Sequence, residues 1–357
     1  MATAMTDTNF ADGSIDAPTP CLVVDEAALN HNLRTMSAAL PGARLRPHVK
    51  AFKCTALAAR LTEHGHHHFT CATLAEMAGL IRAGLATDLL LANETLDEVK
   101  LRDVVALAAG SNQPARITVA VDSAETIKVA AAAGVAEVLI DVNVGLPRCG
   151  CAPEYAGALA EQARSAGLSV RGVMGYEGHL MMVEERAERM DKVASAMELL
   201  QAASTAVGGE VISAGGTGTF DTNSIATEIQ AGSFTLMDTQ YSTLDLPFQQ
   251  ALWVEATVIS VNRAGGWIVA DCGLKSLGMD HGDPTWSGGD LWFCSDEHVT
   301  LAPADMDAWT VGDRVRLAPA HVDPTVAKHE RMWLVSEEVT PGSPRAITEW
   351  PVDLRHW

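Results

Sequence analysis

The chain is predicted to be an α/β protein: a (β/α)8 TIM-like barrel over residues 18–247, followed by a mainly antiparallel β domain over residues 248–357. Two observations carry this. From residue 20 to about 240, short β-type runs alternate with longer Ala- and Leu-rich amphipathic stretches, and about 220 residues suit eight such units. After residue 250 the texture changes, and all eight tryptophans fall there, at 253, 267, 286, 292, 309, 333, 350 and 357.

The barrel strands expected are Cys21–Val24, Leu45–Val49, Phe69–Ala72, Asp88–Ala92, Ile117–Asp122, Val138–Val142, Val170–Tyr176 and Val211–Ala214. Asp25 is placed to cap a helix over Glu26–Leu40, and a second long helix is expected over Val183–Val207. Gly84, Gly134 and Gly167 each follow a helical stretch, where a left-handed residue ends a helix. The strand count alone leaves a doubly wound open sheet as the competing architecture. In the second part, Leu252–Asn262, Trp267–Asp271, Asp290–Cys294, Arg314–Ala318 and Arg331–Glu337 read as strands separated by turn-forming Gly, Pro and Asp.

Composition narrows the function. The 25 basic residues against 45 acidic ones give a net charge of −20, which argues against a nucleic-acid or anionic-membrane partner. No apolar run approaches the roughly 18 residues of a membrane span. The first 18 residues have neither the basic nor the apolar segment of a signal peptide, and the arm 1–17 is expected to fray or to pack on the β domain. Seven cysteines, an odd number in a large chain, do not read as a disulfide framework, so a soluble cytoplasmic protein is expected. His66-His67-His68 is expected to be an exposed loop rather than a metal tract.

Reacting groups of such barrels sit at the carboxyl ends of the strands. There the sequence places Arg46-Pro47-His48-Val49-Lys50, a loop ending in Arg148, the run Gly175-Tyr176-Glu177-Gly178-His179, and two small-residue loops, Gly215–Thr219 and Gly232-Ser233. Only seven lysines exist, at 50, 53, 100, 128, 192, 275 and 328. A lysine facing two loops rich in backbone N–H groups and hydroxyls suits pyridoxal 5'-phosphate, held as a Schiff base and by its phosphate. In the β domain, His321-Val322-Asp323 read as an extended segment points both side chains to one face, where they suit a harder divalent cation. Asp283, His281, His298 and Glu297 are further polar candidates.

These segments resemble the D-threonine aldolase and D-serine dehydratase branch of the fold-type III pyridoxal phosphate enzymes, which have an alanine racemase-like N-terminal barrel. The resemblance rests on RPHVKAFKC at 46–54, VGLPRCG at 144–150, GGTGTFD at 215–221, TEIQAGSFTLMDTQY at 227–241, DCGLKS at 271–276, DEH at 296–298 and PAHVDPT at 319–325, in order. It implies Lys50 as the Schiff-base lysine, with Lys53 only trailing it. It further implies Arg148 at the cofactor's ring oxygen and Tyr176 as an active-site tyrosine. Gly216, Thr217, Gly232 and Ser233 would form the phosphate cradle, and His321 and Asp323 would be the ligands of a divalent ion, Mn²⁺ first, with Mg²⁺ or Zn²⁺ as alternatives. His179, a metal-bound water or another histidine is left as the proton acceptor for the substrate hydroxyl.

The dehydratases carry His-x-Cys where this chain has His321-x-Asp323, the aldolase form. The activity implied is metal-assisted retro-aldol cleavage of a D-β-hydroxy-α-amino acid to glycine and an aldehyde; dehydration of D-serine or 3-hydroxyaspartate to an α-keto acid and ammonia is the alternative. A homodimer with shared active sites is also implied. Racemisation is disfavoured, because it needs a second base, normally a tyrosine in the β domain, and all three tyrosines precede residue 242. A non-catalytic cofactor carrier would lack the β domain. Two departures from the family pattern, Thr70-Cys71-Ala72-Thr73 and Glu177-Gly178-His179, fall at the rim of the site and bear on substrate preference.

Overall fold

The computed structural model describes residues 15–85, 87–336 and 346–356. Strand β1 (Cys21–Asp25), expected as the first stave of the barrel, belongs instead to the second sheet. Its alternate side chains reach two different cores, Leu22 and Val24 the main one, and Cys21 and Val23 a smaller one. The smaller core also takes Ile15, Ala17 and Val335, so the described part of the N-terminal arm is packed on the β domain.

Seven parallel strands then follow in chain order around the barrel: β2 (His68–Cys71), β3 (Asp88–Leu91), β4 (Arg116–Val121), β5 (Glu137–Asp141), β6 (Ser169–Gly175), β7 (Val211–Ala214) and β8 (Glu228–Ile229). The last has two residues and was not expected. The eighth stave is the segment 45–48, expected as a regular strand. It bridges Leu45 to Ile229 on one side and His48 to Thr70 on the other. Arg46 N and His48 N donate to Ile229 O and Ala231 O at 2.9 and 3.0 Å, and Thr70 N donates to Pro47 O at 2.9 Å. Pro47 has no N–H, so this stave makes isolated bridges where a longer ladder was expected.

The barrel strands are nearly continuous apolar runs, as sheets covered on both faces must be; every residue of β3 is buried. Local signals fix the helices between them. Asp25 Oδ1 accepts from Ala28 N at 3.1 Å and starts the helix Glu26–Ala39. Gly84, Gly134 and Gly167 adopt φ of 67°, 79° and 87°, as their positions after helices required. The long helix expected from Val183 runs over Arg186–Val207.

The amino-terminal mouth of the barrel is closed by buried charge. Arg46, 1% exposed, pairs with Asp88 Oδ1 at 2.9 Å and Glu228 Oε1 at 2.8 Å, and Arg171 reaches Asp88 Oδ2 at 3.1 Å. Asp88 and Glu228 are the first residues of their strands, so this network occupies the end opposite the chemistry.

The second sheet holds β9 (Leu252–Asn262), β10 (Trp267–Ala270), β11 (Gly289–Cys294), β12 (Val299–Pro303), β13 (Arg314–Leu317), β14 (Arg331–Val335) and β15 (Ile347–Pro351). Its order is β11-β12-β10-β9-β1-β14-β15, with β13 also on β9. All pairings are antiparallel except β1 with β14. Strands β12 and β15 were not expected. One buried cluster runs from the barrel into this sheet, so the two parts share a core. Among the described residues no helix is long and apolar enough to cross a membrane.

His66 is a further correction. It is buried, not exposed, with Nε2 2.8 Å from Ser37 Oγ and Nδ1 3.0 Å from Gly42 O.

Candidate active site

Beyond His48 the closing stave winds into a 3₁₀ turn, Val49–Ala51. Val49 and Ala51 are buried on either side, leaving Lys50 to face the barrel mouth with its side chain 41% exposed. Lys50 Nζ forms an ion pair with Asp323 of the β domain. Burial works against the ammonium, but the charge and hydrogen bond of Asp323, together with Tyr176 and Glu76, hold Lys50 above the ordinary lysine value. The same pair draws Asp323 below the usual carboxylate range despite burial. Lys53 follows with φ 43° and is paired with buried Glu76, whose other oxygen accepts from Ala72 N and Thr73 N at 2.6 and 3.2 Å. The two motif lysines are therefore sorted: one faces the mouth, the other anchors a helix start.

Two loops stand beside Lys50. Gly216 and Thr217 follow β7, Gly232 and Ser233 follow β8, and each loop opens a short 3₁₀ turn. They are tied together by Phe234 N, which donates to Thr217 Oγ1 at 3.0 Å. A Cβ at Gly232 would lie 2.3 Å from the backbone oxygen of His48, so that position requires glycine; one at Gly216 would lie 2.9 Å from Met181 Sδ, which would have to move. Ser233 Oγ donates to Asp323 Oδ1 at 3.4 Å.

Behind the first loop sits Glu177, noticed in the sequence only as a departure from a pattern. It is fully buried; its oxygens accept from Gly215 N at 3.1 Å, Thr219 Oγ1 at 2.9 Å and Asn223 Nδ2 at 3.3 Å. Burial raises its pKa despite these donors.

Arg148 lies over the Tyr176 ring, 5.2 Å from guanidinium carbon to centroid. Gly178 leaves room for that ring, since a Cβ there would be 2.4 Å from Tyr176 Cε1. A cavity of about 200 Å³ is lined by Lys50, Arg148, Tyr176, Gly216, Thr217, Gly232 and Ser233. His48, Asn93, Gln230 and Tyr241 line it as well and are given no role by the sequence, although His48 falls inside the 46–54 motif and Gln230 and Tyr241 inside the 227–241 motif. His179 is not among the lining residues; its ring packs against Gly145, in the loop that carries Arg148. A second cavity, of about 250 Å³, lies away from all of these, around Glu26, Arg60 and Trp350.

The β-domain side differs from the expected extended His-x-Asp pair. His321 directly precedes a short helix, Val322–Ala327, with Pro324 in its first turn. The helical turn sends the two side chains to different neighbours. Asp323 meets Lys50, while His321 Nδ1 lies 2.8 Å from Asp280 Oδ2 and its ring stacks on His281.

The residues fit both groups the sequence implied. The glycine-floored cradle beside an accessible lysine, with an arginine opposite, suits the phosphate, aldehyde and ring oxygen of pyridoxal phosphate. On the metal side the donors that converge are Asp280, His281 and His321, with Asp323 two residues from His321; imidazole and carboxylate donors without thiolate suit a divalent ion of intermediate hardness.

A barrel with a lysine at its mouth and a β domain leaning over it defines a pyridoxal phosphate enzyme of the alanine racemase fold. Residues 24–239 match the alanine racemase N-terminal domain, and residues 251–335 match the putative serine dehydratase domain. The chain belongs to the D-threonine aldolase and D-serine dehydratase-like family of fold-type III enzymes and is a pyridoxal phosphate-dependent lyase of D-threonine aldolase-like type. It is 35% identical to the D-threonine aldolase of an Arthrobacter species, over 90% of each chain. It is 31% identical to the 3-hydroxy-D-aspartate aldolase of Paracoccus denitrificans, over 94% of this chain and 92% of that one. The crystal structure of D-threonine aldolase from Filomicrobium marinum superposes with a TM-score of 0.86 at 32% identity, covering 95% of this chain and 96% of that one. An alanine racemase of Clostridium difficile, at 14% identity and a TM-score of 0.68 over 94% and 99% of the two chains, shares the fold.

Proposed function

We propose that the chain cleaves D-β-hydroxy-α-amino acids of the D-threonine type to glycine and an aldehyde with the help of a divalent metal ion. The observation that carries this is the Asp323 carboxylate in ion-pair contact with Lys50 at the barrel mouth. A cation site that includes Asp323 would lie next to the substrate carbon bonded to the hydroxyl. The identities with two kinds of D-hydroxyamino acid aldolase support the reaction class.

In this reading Lys50 Nζ would hold the cofactor and, when free of it, would carry a proton at its nitrogen. Gly216, Thr217, Gly232 and Ser233 bind the phosphate through N–H and hydroxyl groups, and Arg148 donates to the ring oxygen. Tyr176 shapes the wall beneath Arg148 and excludes water there. Pyridoxal phosphate, when bound, supplies the electron sink for the pair left on Cα as the Cα–Cβ bond breaks. A divalent ion on His321 and Asp323 would acidify the β-hydroxyl. The hydroxyl proton goes to a base, for which His179 is one candidate, a proton returns to Cα, and D-threonine is accounted for as glycine plus acetaldehyde.

The test is incubation of the loaded enzyme with D-threonine, D-phenylserine and D-3-hydroxyaspartate plus Mn²⁺. Aldehyde and glycine are the expected products. An α-keto acid and ammonia from every substrate would replace the aldolase reading with the dehydratase one.

Three further assignments belong to this reading. The functional division is a cofactor unit over 18–247 and a metal unit over 248–357, with β1 lent to the second. A cytoplasmic location is supported by seven free cysteines. A homodimer is supported by Trp292 and Phe293, 51% and 56% exposed on the outermost strand β11, an apolar edge that a second copy would cover; light scattering of the purified protein tests it.

A further inference from the structure

Three side chains of metal-ligating type converge in the β domain: Asp280, His281 and His321, with their ligand atoms all within 4.8 Å of one another. Asp280 Oδ2 is 2.8 Å from His321 Nδ1 and 3.8 Å from His281 Nε2. The two imidazoles stack at a centroid distance of 3.8 Å and an angle of 10°. Asp323 lies two residues from His321 and faces the same mouth through its contact with Lys50.

We propose that His281 is a third protein ligand of the cation that His321 and Asp323 receive, with Asp280 orienting His321 from behind. The inference rests on the metal reading above and deepens it. Asp280 accepts from Nδ1–H of His321, which fixes the tautomer and leaves Nε2 with its lone pair free for an ion. Parallel rings 3.8 Å apart cannot both aim an in-plane lone pair at one ion, so His281 must turn about its side-chain bonds on metal binding. Its side chain is 39% exposed, which leaves room for that rotation.

The resulting donor set is two imidazole nitrogens and one carboxylate. Such a set favours Mn²⁺, Co²⁺ or Zn²⁺ over Mg²⁺, which prefers oxygen donors and its own waters. A site with His321 and Asp323 alone would discriminate far less.

The experiment is titration of chelator-stripped, cofactor-loaded enzyme with Co²⁺ and with Mg²⁺, read by calorimetry and by the visible absorption of bound Co²⁺. His281→Ala is expected to weaken Co²⁺ binding by roughly 10- to 100-fold and change its absorption, while Mg²⁺ binding moves little. His321→Ala should abolish the Co²⁺ site. Asp280→Asn should weaken Co²⁺ binding without changing the number of nitrogen donors seen by pulsed electron resonance on a Cu²⁺-loaded sample. The proposal is overturned if Co²⁺ affinity and spectrum are the same in wild type and His281→Ala, or if wild type binds no Co²⁺. Aldehyde release from D-threonine is assayed in parallel. A His281-dependent Co²⁺ site without aldehyde would sink the aldolase reading and leave the ligand assignment standing; aldehyde with a His281-independent site would do the reverse.

Discussion

Lys50 and Asp323 are 273 positions apart in the chain and form an ion pair across the mouth of the barrel. In the proposed reaction each is needed elsewhere, the amine on the cofactor and the carboxylate on the metal. The cofactor and the metal therefore release the same contact, and binding of one favours the other. We expect the cofactor-loaded protein to bind Mn²⁺ more tightly than the cofactor-free protein, by roughly 5- to 150-fold, with a reciprocal gain in cofactor affinity. Calorimetric titration in both orders measures it; equal affinities in the two states would remove the coupling.

Lys50→Ala should lose the visible absorption of the lysine-bound cofactor and all activity. Lys53→Ala should keep that absorption, because Lys53 is committed to Glu76. Spectra of the two purified variants decide between them, and the opposite pattern would shift the motif by one lysine.

Asp323→Ala should keep the cofactor's absorption but lower metal affinity by more than about 100-fold, above the range usual for outer-shell partners. Metal content after gel filtration, together with aldehyde release at saturating Mn²⁺, checks it.

Glu177→Ala should loosen the phosphate loop by removing the acceptor of three hydrogen bonds. Loss of about 1.4 kcal/mol of preorganisation would weaken cofactor binding about 10-fold. Glu177→Gln, which keeps one acceptor oxygen, should retain part of the affinity. Fluorescence titration of the cofactor-free proteins distinguishes these outcomes.

Asp88→Ala leaves Arg46 and Arg171 with an incomplete partner set in the closed end of the barrel. A cost of about 3–5 kcal/mol is expected, read as a lowered denaturation midpoint. Burial disfavours the Asp88 carboxylate, but Arg46 and Arg171 hold its pKa below the ordinary carboxylate value. A group depressed in this way contributes its full stability above the unfolded pKa of about 3.9, and loses it as pH falls through the lower folded value. The wild type should therefore lose stability at acid pH more steeply than Asp88→Asn.

Much of this was legible in the sequence. Strand runs at 88, 117, 138, 170 and 211, the Asp25 cap and the left-handed glycines depend on local patterns, and they stand where the patterns put them. Lys50 was separable from Lys53 by motif register. Less legible was anything decided at long range. A buried apolar strand such as Cys21–Asp25 fits either sheet, and only its pairing with Val254 and Met332 assigns it. A two-residue strand such as Glu228–Ile229 has no periodicity to detect. His321 and Asp323 read as extended in the sequence, but Pro324 is compatible with a first helical turn and the segment is helical. Glu177, Gln230 and Asp280 carry ordinary polar identities, and only their neighbours in space distinguish them.

Strand β1 has a consequence for how the molecule is made. It lies between β9 and β14, so the second sheet is interrupted until this strand, which precedes the barrel, meets two that follow it. Cutting the chain at 247 would yield a barrel fragment carrying an orphan strand and a sheet with a gap in its middle. The second sheet is complete only when β1 has paired with both β9 and β14. The apparent order of two successive domains is, in topology, a sheet with one of its described strands before the barrel and seven after it.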